Sequence, residues 1–168
     1  DTYTPTSDHP TFALLGVAAY YAKAIKTDTL SNLIHFEFDV PDAFLQERLP
    51  RSATGGEQLI MRLPHNLPNR LAGNWVEVVG AIYGLKQSNA IFAAGFTKTM
   101  GSITHGPHTA PDAAPFHYSD PDNPTLKCTI PMHVDDGQGL CICKRIYDDR
   151  VKHGLTQRYG DMTWRAEA

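Results

Sequence analysis

The chain has 168 residues, 42% of them apolar and 20% charged, and a formal net charge of −3. That size allows one domain with a core of its own, and the balance excludes a disordered chain, a collagen-like repeat and a surface that attracts nucleic acid over its whole extent. No apolar run approaches the ~20 residues of a membrane-spanning helix, so no membrane partner is expected.

Residues 1–10 read as a polar loop, with Asp8 placed to cap a helix and Pro10 in its first turn. The run 11–25 is apolar almost all round and predicts a buried helix. Residues 33–40 alternate. Ile34, Phe36, Phe38 and Val40 point one way, and His35, Glu37 and Asp39 point the other, so a half-buried strand carries Asp39 near its end. Pro41 breaks the ladder, and 42–47 suits a short helical turn. Two short strands are expected at 58–63 and 75–79, inside a stretch rich in Pro and Gly.

A helix is predicted over 88–100, with Ile91, Phe92, Gly95 and Phe96 on its buried stripe and Ser88 as N-cap. The Pro- and His-rich segment 101–124 reads as a surface loop inserted in the domain. A hairpin follows, from 127–134 and 139–143, with its tip at Asp135-Asp136-Gly137. Pro131 within it calls for an edge position or an irregular strand. Residues 144–159 form an amphipathic helix through Tyr147, Val151 and Leu155, ended by Gly160. The whole is an α+β domain over 1–168, an antiparallel sheet with helices packed on one face.

Three cysteines, Cys128, Cys141 and Cys143, lie in predicted strands, and their odd number in apolar surroundings predicts reduced, buried thiols in an intracellular protein. Basic residues gather at Arg48, Arg51, Arg62 and Arg70, and again at Lys144, Arg145, Arg150, Lys152 and Arg158. Each group reads as a solvated face, with a track for phosphate as the alternative. His105, His108 and His117 lack the Cys partners of a zinc site.

Asp39, Asp135 and Asp136 carry the chemistry. Phosphoryl transfer needs charge neutralised around an in-line displacement, and two hard cations held by carboxylates supply that. In this arrangement Asp39 and Asp135 face a cleft from neighbouring strands and Asp136 reaches in from the tip. Asp135-Asp136-Gly137 also has the composition of an ordinary turn.

The block Phe38-Asp39-Val40-Pro41-Asp42-Ala43-Phe44-Leu45 resembles the first catalytic motif of the reverse transcriptases of copia-type retrotransposons. Tyr83-Gly84-Leu85-Lys86-Gln87-Ser88 is similar to that family's signature hexapeptide, and Val134-Asp135-Asp136 to its paired aspartates. Asp1-Thr2-Tyr3-Thr4-Pro5-Thr6 and Leu59-Ile60-Met61-Arg62-Leu63-Pro64 resemble two further stretches, in the family's order. The chain departs from the pattern at His133, where the family has Tyr, at Asn89-Ala90, where it has Pro-Arg, and at Pro131.

The resemblance implies a polymerase palm with part of the fingers. It implies Asp39, Asp135 and Asp136 as ligands of two Mg²⁺ ions, with Mn²⁺ as a substitute. Phe44 would lie under the incoming sugar and favour deoxynucleotides, or serve only as a core aromatic. Tyr83, Gly84, Lys86 and Gln87 would line the nucleotide and template side. The implied partners are an RNA or DNA template-primer and dNTP, together with fingers, thumb and RNase H segments of a polyprotein, in the cytoplasm or a retrotransposon particle. Without those segments the 168 residues are expected to polymerise poorly. A palm remnant used as a structural or interaction module is the rival expectation, and a metal-dependent nuclease a weaker one.

Overall fold

The structure is a computed structural model and describes residues 14, 16, 18, 33–51, 55–68, 70–104, 116–120, 123 and 127–167. The opening loop, the Asp8 cap and most of the expected helix at 11–25 lie outside the described residues. Leu14, Gly16 and Ala18 are helical.

The chain is an α+β domain. Its elements are β1 (Ile34–Asp39), a 3-10 turn (Ala43–Gln46), β2 (Ile60–Arg62), β3 (Trp75–Glu77), α1 (Ser88–Thr104), β4 (Phe116–Ser119), β5 (Lys127–Ile130), β6 (Met132–His133), β7 (Asp136–Cys141), a π-helical segment (Ile146–Lys152) running into α2 (His153–Tyr159), and β8 (Thr163–Glu167). The main sheet is antiparallel in the order β4-β5-β7-β1-β8, with β6 also on β7. β2 and β3 form a separate two-stranded ribbon.

Alternation in β1 sorts its side chains as its sequence requires. Ile34, Phe36 and Phe38 are buried under the helices, and His35, Glu37 and Asp39 stand on the open face. Opposite Phe36 and Phe38 in register are Gly139 and Gly137. A Cβ at either glycine would overlap the facing phenyl ring. The two glycines thus give the rings room to lie flat across the neighbouring strand.

Above this face, α1 contributes Phe92, Phe96 and Met100 at four-residue spacing, and the second helical run contributes Tyr147, Val151, Leu155 and Tyr159. Rings meet through the layer: Phe36 is tilted against Tyr147 at 4.8 Å, and Phe96 stacks on both Phe38 (6.3 Å) and Tyr159 (5.9 Å). Leu155 and Val151 are fully buried, as their spacing predicts. Gly160, at φ +79°, ends the run. Among the described residues, no helix is long and apolar enough to cross a membrane.

Several expectations need correction. Ser88 does not cap α1. It is the first helical residue, buried, and its hydroxyl donates to the Ile82 carbonyl at 2.6 Å. The loop expected over 101–124 is narrower, since α1 continues to Thr104 and Phe116–Ser119 pairs with β5. Residues 105–115, with His105 and His108, lie outside the described residues.

Pro131 separates β5 from β6 without shifting their common register on β7. Its missing N–H costs one ladder bond, while its carbonyl still accepts from the Gln138 N–H at 3.2 Å.

The cysteines also differ from expectation. Cys128 and Cys141 face one another across β5 and β7, with Cα atoms 4.2 Å apart, and are joined in a disulfide. Cys143 alone is a free thiol, half-buried. Flanking bonds such as Ile142 N–H to the Lys127 carbonyl make 128/141 a non-hydrogen-bonded pair, where side chains approach most closely.

Candidate functional site

β1 and β7 place the two central acids. Asp39 is the last residue of β1 and Asp136 the first of β7, and they are register partners on the open face. The hairpin closes at His133↔Asp136, so its two-residue loop is Val134-Asp135. That is one residue earlier than the composition of Asp135-Asp136-Gly137 suggests. The acids therefore exchange the expected roles. Asp136 stands on the strand opposite Asp39, and Asp135 occupies the tip.

Val134 takes φ +58°, an unusual conformation for a β-branched side chain and one that two-residue hairpins need at their first loop position. The strain is offset by anchoring: the Val40 N–H donates to the Asp135 carbonyl at 3.1 Å, which ties the tip to the end of β1.

Asp39 is half-buried and Asp136 exposed. The Asp39 carboxyl is pushed above the ordinary 3.8, first by loss of solvent, then by the charge of Asp136 and by a hydrogen bond with it. Two carboxylates so placed either share a proton or accept a cation.

Past β1 the chain turns at Asp42, which has φ +51°, and enters the 3-10 turn that carries Phe44. Phe44 is buried, edge-on to Phe92 at 6.3 Å. Tyr83 lies over it at 4.8 Å and is 59% exposed, so Tyr83 rather than Phe44 offers the aromatic surface. The chain reaches Tyr83 through a short antiparallel contact. Leu49 N–H donates to the Val79 carbonyl, Arg48 bridges Gly80, and Ala81 N–H donates to the Glu47 carbonyl.

The Tyr83 hydroxyl is held above its usual range, first by partial loss of solvent, then by Asp135, Asp42 and Asp39 in that order. All three acids thus act on one phenol. Asp42 is a member of the site to which sequence reasoning gave no role. The signal was its place directly after Pro41, within the first motif.

Gly84 has φ +92°, which its lack of a side chain permits. Lys86 is exposed, and Gln87 is half-buried with its carbonyl accepting from the Ile91 N–H at 3.0 Å. His133 is exposed on the open face, across from Asp136. His117 is bonded to Thr129 at 3.1 Å. β8, which no pattern announced, flanks the site by setting Thr163 opposite Asp39.

Among the described residues, no group of three or more His, Cys, Asp or Glu is arranged to hold a metal. The donors that do meet are the Asp39–Asp136 pair. A pair of hard carboxylates completed by substrate phosphate is how Mg²⁺ is commonly bound, so the donor set fits that ion. No protein-family model and no curated protein sequence matches the chain.

Proposed function

We propose that the chain is the palm of an RNA-directed DNA polymerase of the copia-type retrotransposon class, acting on a primed template and deoxynucleotides as part of a larger polyprotein. The observation that carries the reading is the cross-strand pair of Asp39 and Asp136, with Asp135 on the adjoining tip. The three motifs in family order support it.

Asp39 and Asp136 would hold Mg²⁺ or Mn²⁺, with Asp135 beside them. A bound divalent cation would supply charge neutralisation for an attacking 3′-hydroxyl and a leaving pyrophosphate. The chain's own part is positioning. The Val40–Asp135 bond fixes the tip, the tilted contact of the Phe44 and Tyr83 rings sets a wall beside the acids, and Gly84 lets backbone approach a nucleotide. Lys86 is an exposed cation available to phosphate.

An intracellular setting goes with this reading, in the cytoplasm or a retrotransposon particle. The Cys128–Cys141 bridge is the observation against it, because such bonds are rare in reducing compartments. A second reading, a palm-derived module retained for interaction, is favoured by the exposed apolar side chains Ile60 and Trp75.

Extension of a labelled primer on an RNA template separates the two readings. The chain within its coding context should incorporate dNTP only with a divalent cation, and Asp136→Asn should abolish it. Incorporation that survives Asp136→Asn, or none under any cation, contradicts the enzyme.

A further inference from the structure

The three cysteines gather at one seam of the main sheet. β5 and β7 pair at Cys128↔Cys141 and Thr129↔Leu140, and Pro131 interrupts the run before β6. β1 and β7, by contrast, pair without a break from Ile34↔Cys141 to Asp39↔Asp136. The Cys128–Cys141 bond therefore staples the weaker seam. β4, whose strand partner is β5, joins the sheet across it.

A reductant in solution has no direct path to this bridge, because Cys128 and Cys141 are 1% and 0% exposed. Exchange needs a thiolate that reaches a bridge sulfur. Cys143 is in position to supply it. It is half-buried, so it meets solvent, and it packs against the core cluster to which both bridged cysteines belong. β7 ends at Cys141, so the backbone of Cys143 lies outside the ladder and is free to shift. The bond from the Ile142 N–H to the Lys127 carbonyl keeps this segment beside β5, on which Cys128 is the next residue.

We propose that Cys143 exchanges with the Cys128–Cys141 bridge and is the thiol through which a dithiol reductant opens it. The Cys143 thiolate attacks Cys128 Sγ. The Cys128–Cys143 bond forms, the Cys128–Cys141 bond breaks, and Cys141 leaves as a thiolate that takes up the proton Cys143 gave. One thiolate of the dithiol then attacks Cys143 Sγ and releases Cys128. Its second thiolate closes the reductant's own disulfide and releases Cys143. The dithiol is oxidised, and the bridge gains two electrons and two protons. β5 and β7 are left joined by hydrogen bonds and packing alone, next to the hairpin tip that carries Asp135. The bridge is then a redox-sensitive joint, which reconciles it with a reducing compartment, where such bonds are transient. The inference goes beyond the polymerase reading, because it needs neither a cation nor the acids.

The test follows reduction of the oxidised 168-residue chain by dithiothreitol, with acid quenching, alkylation in denaturant and peptide mapping by mass spectrometry. Cys143→Ser and Cys143→Ala should both lose the bridge more slowly, by roughly tenfold or more at equal reductant. Circular dichroism of the oxidised variants should match the parent, which separates a relay from a structural role. Cys141→Ala treated with oxidised glutathione should form the Cys128–Cys143 bond. On reduction of the parent, the amides of Gln138 and Ile142, which bond across the seam, should exchange with solvent roughly tenfold faster or more, while those between β1 and β7 hold. Equal reduction rates in the parent and both Cys143 variants overturn the proposal. So do a Cys141→Ala chain that forms no bridge, and a parent whose three thiols all alkylate before any reductant is added. Unchanged amide exchange on reduction refutes the joint. None of these readouts involves primer extension, so the polymerase reading stands or falls separately.

Discussion

Replacing Gly137 by alanine tests whether ring-over-glycine packing sets the spacing of the acid pair. Gly137 follows Asp136 directly, and its register partner Phe38 directly precedes Asp39. An added Cβ would overlap the Phe38 ring and come within 2.7 Å of the Met132 sulfur. Phe38 cannot swing freely, because Phe96, Trp164 and Phe36 surround it at 5.2–6.3 Å. Overpacking of this kind costs about 1–3 kcal/mol. Alanine recovers about 0.4–1 kcal/mol by restricting the unfolded chain. The net loss should be about 1–2 kcal/mol, a fall in Tm of about 2–8 °C for a chain of this size. Urea unfolding of Gly137→Ala, Phe38→Leu and the double variant measures the coupling. The smaller Leu should relieve the overlap, so the double variant should be more stable than additivity allows, by about 0.5 kcal/mol or more. Additive losses, or a neutral Gly137→Ala, would refute the packing argument.

Two further predictions concern stability. The raised carboxyl of Asp39 means that the native state holds its proton more tightly than the unfolded chain does. Stability linked to this group is therefore full below the ordinary 3.8 and is lost as pH rises through the folded value. Asp39→Asn should raise Tm at neutral pH, and its advantage over the parent should shrink on acidification. A constant difference between pH 7 and pH 3 would contradict this. The Cys128–Cys141 bridge, with a sequence separation of 13, should contribute about 3 kcal/mol, so a reductant should lower Tm by about 6–12 °C. Alkylation in denaturant without reductant should label Cys143 alone, and three labelled thiols would show the pair to be reduced.

How far the sequence could be read follows from which interactions are local. β1 was legible because a solvated face and a buried face alternate along it, and so was the Tyr147–Val151–Leu155 stripe, because a helix repeats at that spacing. The acid pair was legible through the motif blocks. Its geometry was less so, because the loop of a hairpin is set by register, and register depends on how Met132 and Gly137 meet the core. β8 was hidden, since Thr163 to Glu167 mixes polar and apolar residues and becomes a strand only when β1 offers a free edge. The disulfide was hidden for the same reason: Cys128 and Cys141 become opposite only once β5 and β7 are paired. Ser88 looked like a cap because residue type alone does not show where its hydroxyl points.

Calorimetric titration of Mg²⁺ and Mn²⁺ into the chain, with dNTP present, tests most directly whether residues 39 and 136 act together. The account predicts saturable binding that raises Tm, by about 5–11 °C at a hundredfold excess over Kd, and that vanishes in both Asp39→Asn and Asp136→Asn. No binding by the parent chain, or undiminished binding by either variant, would contradict it.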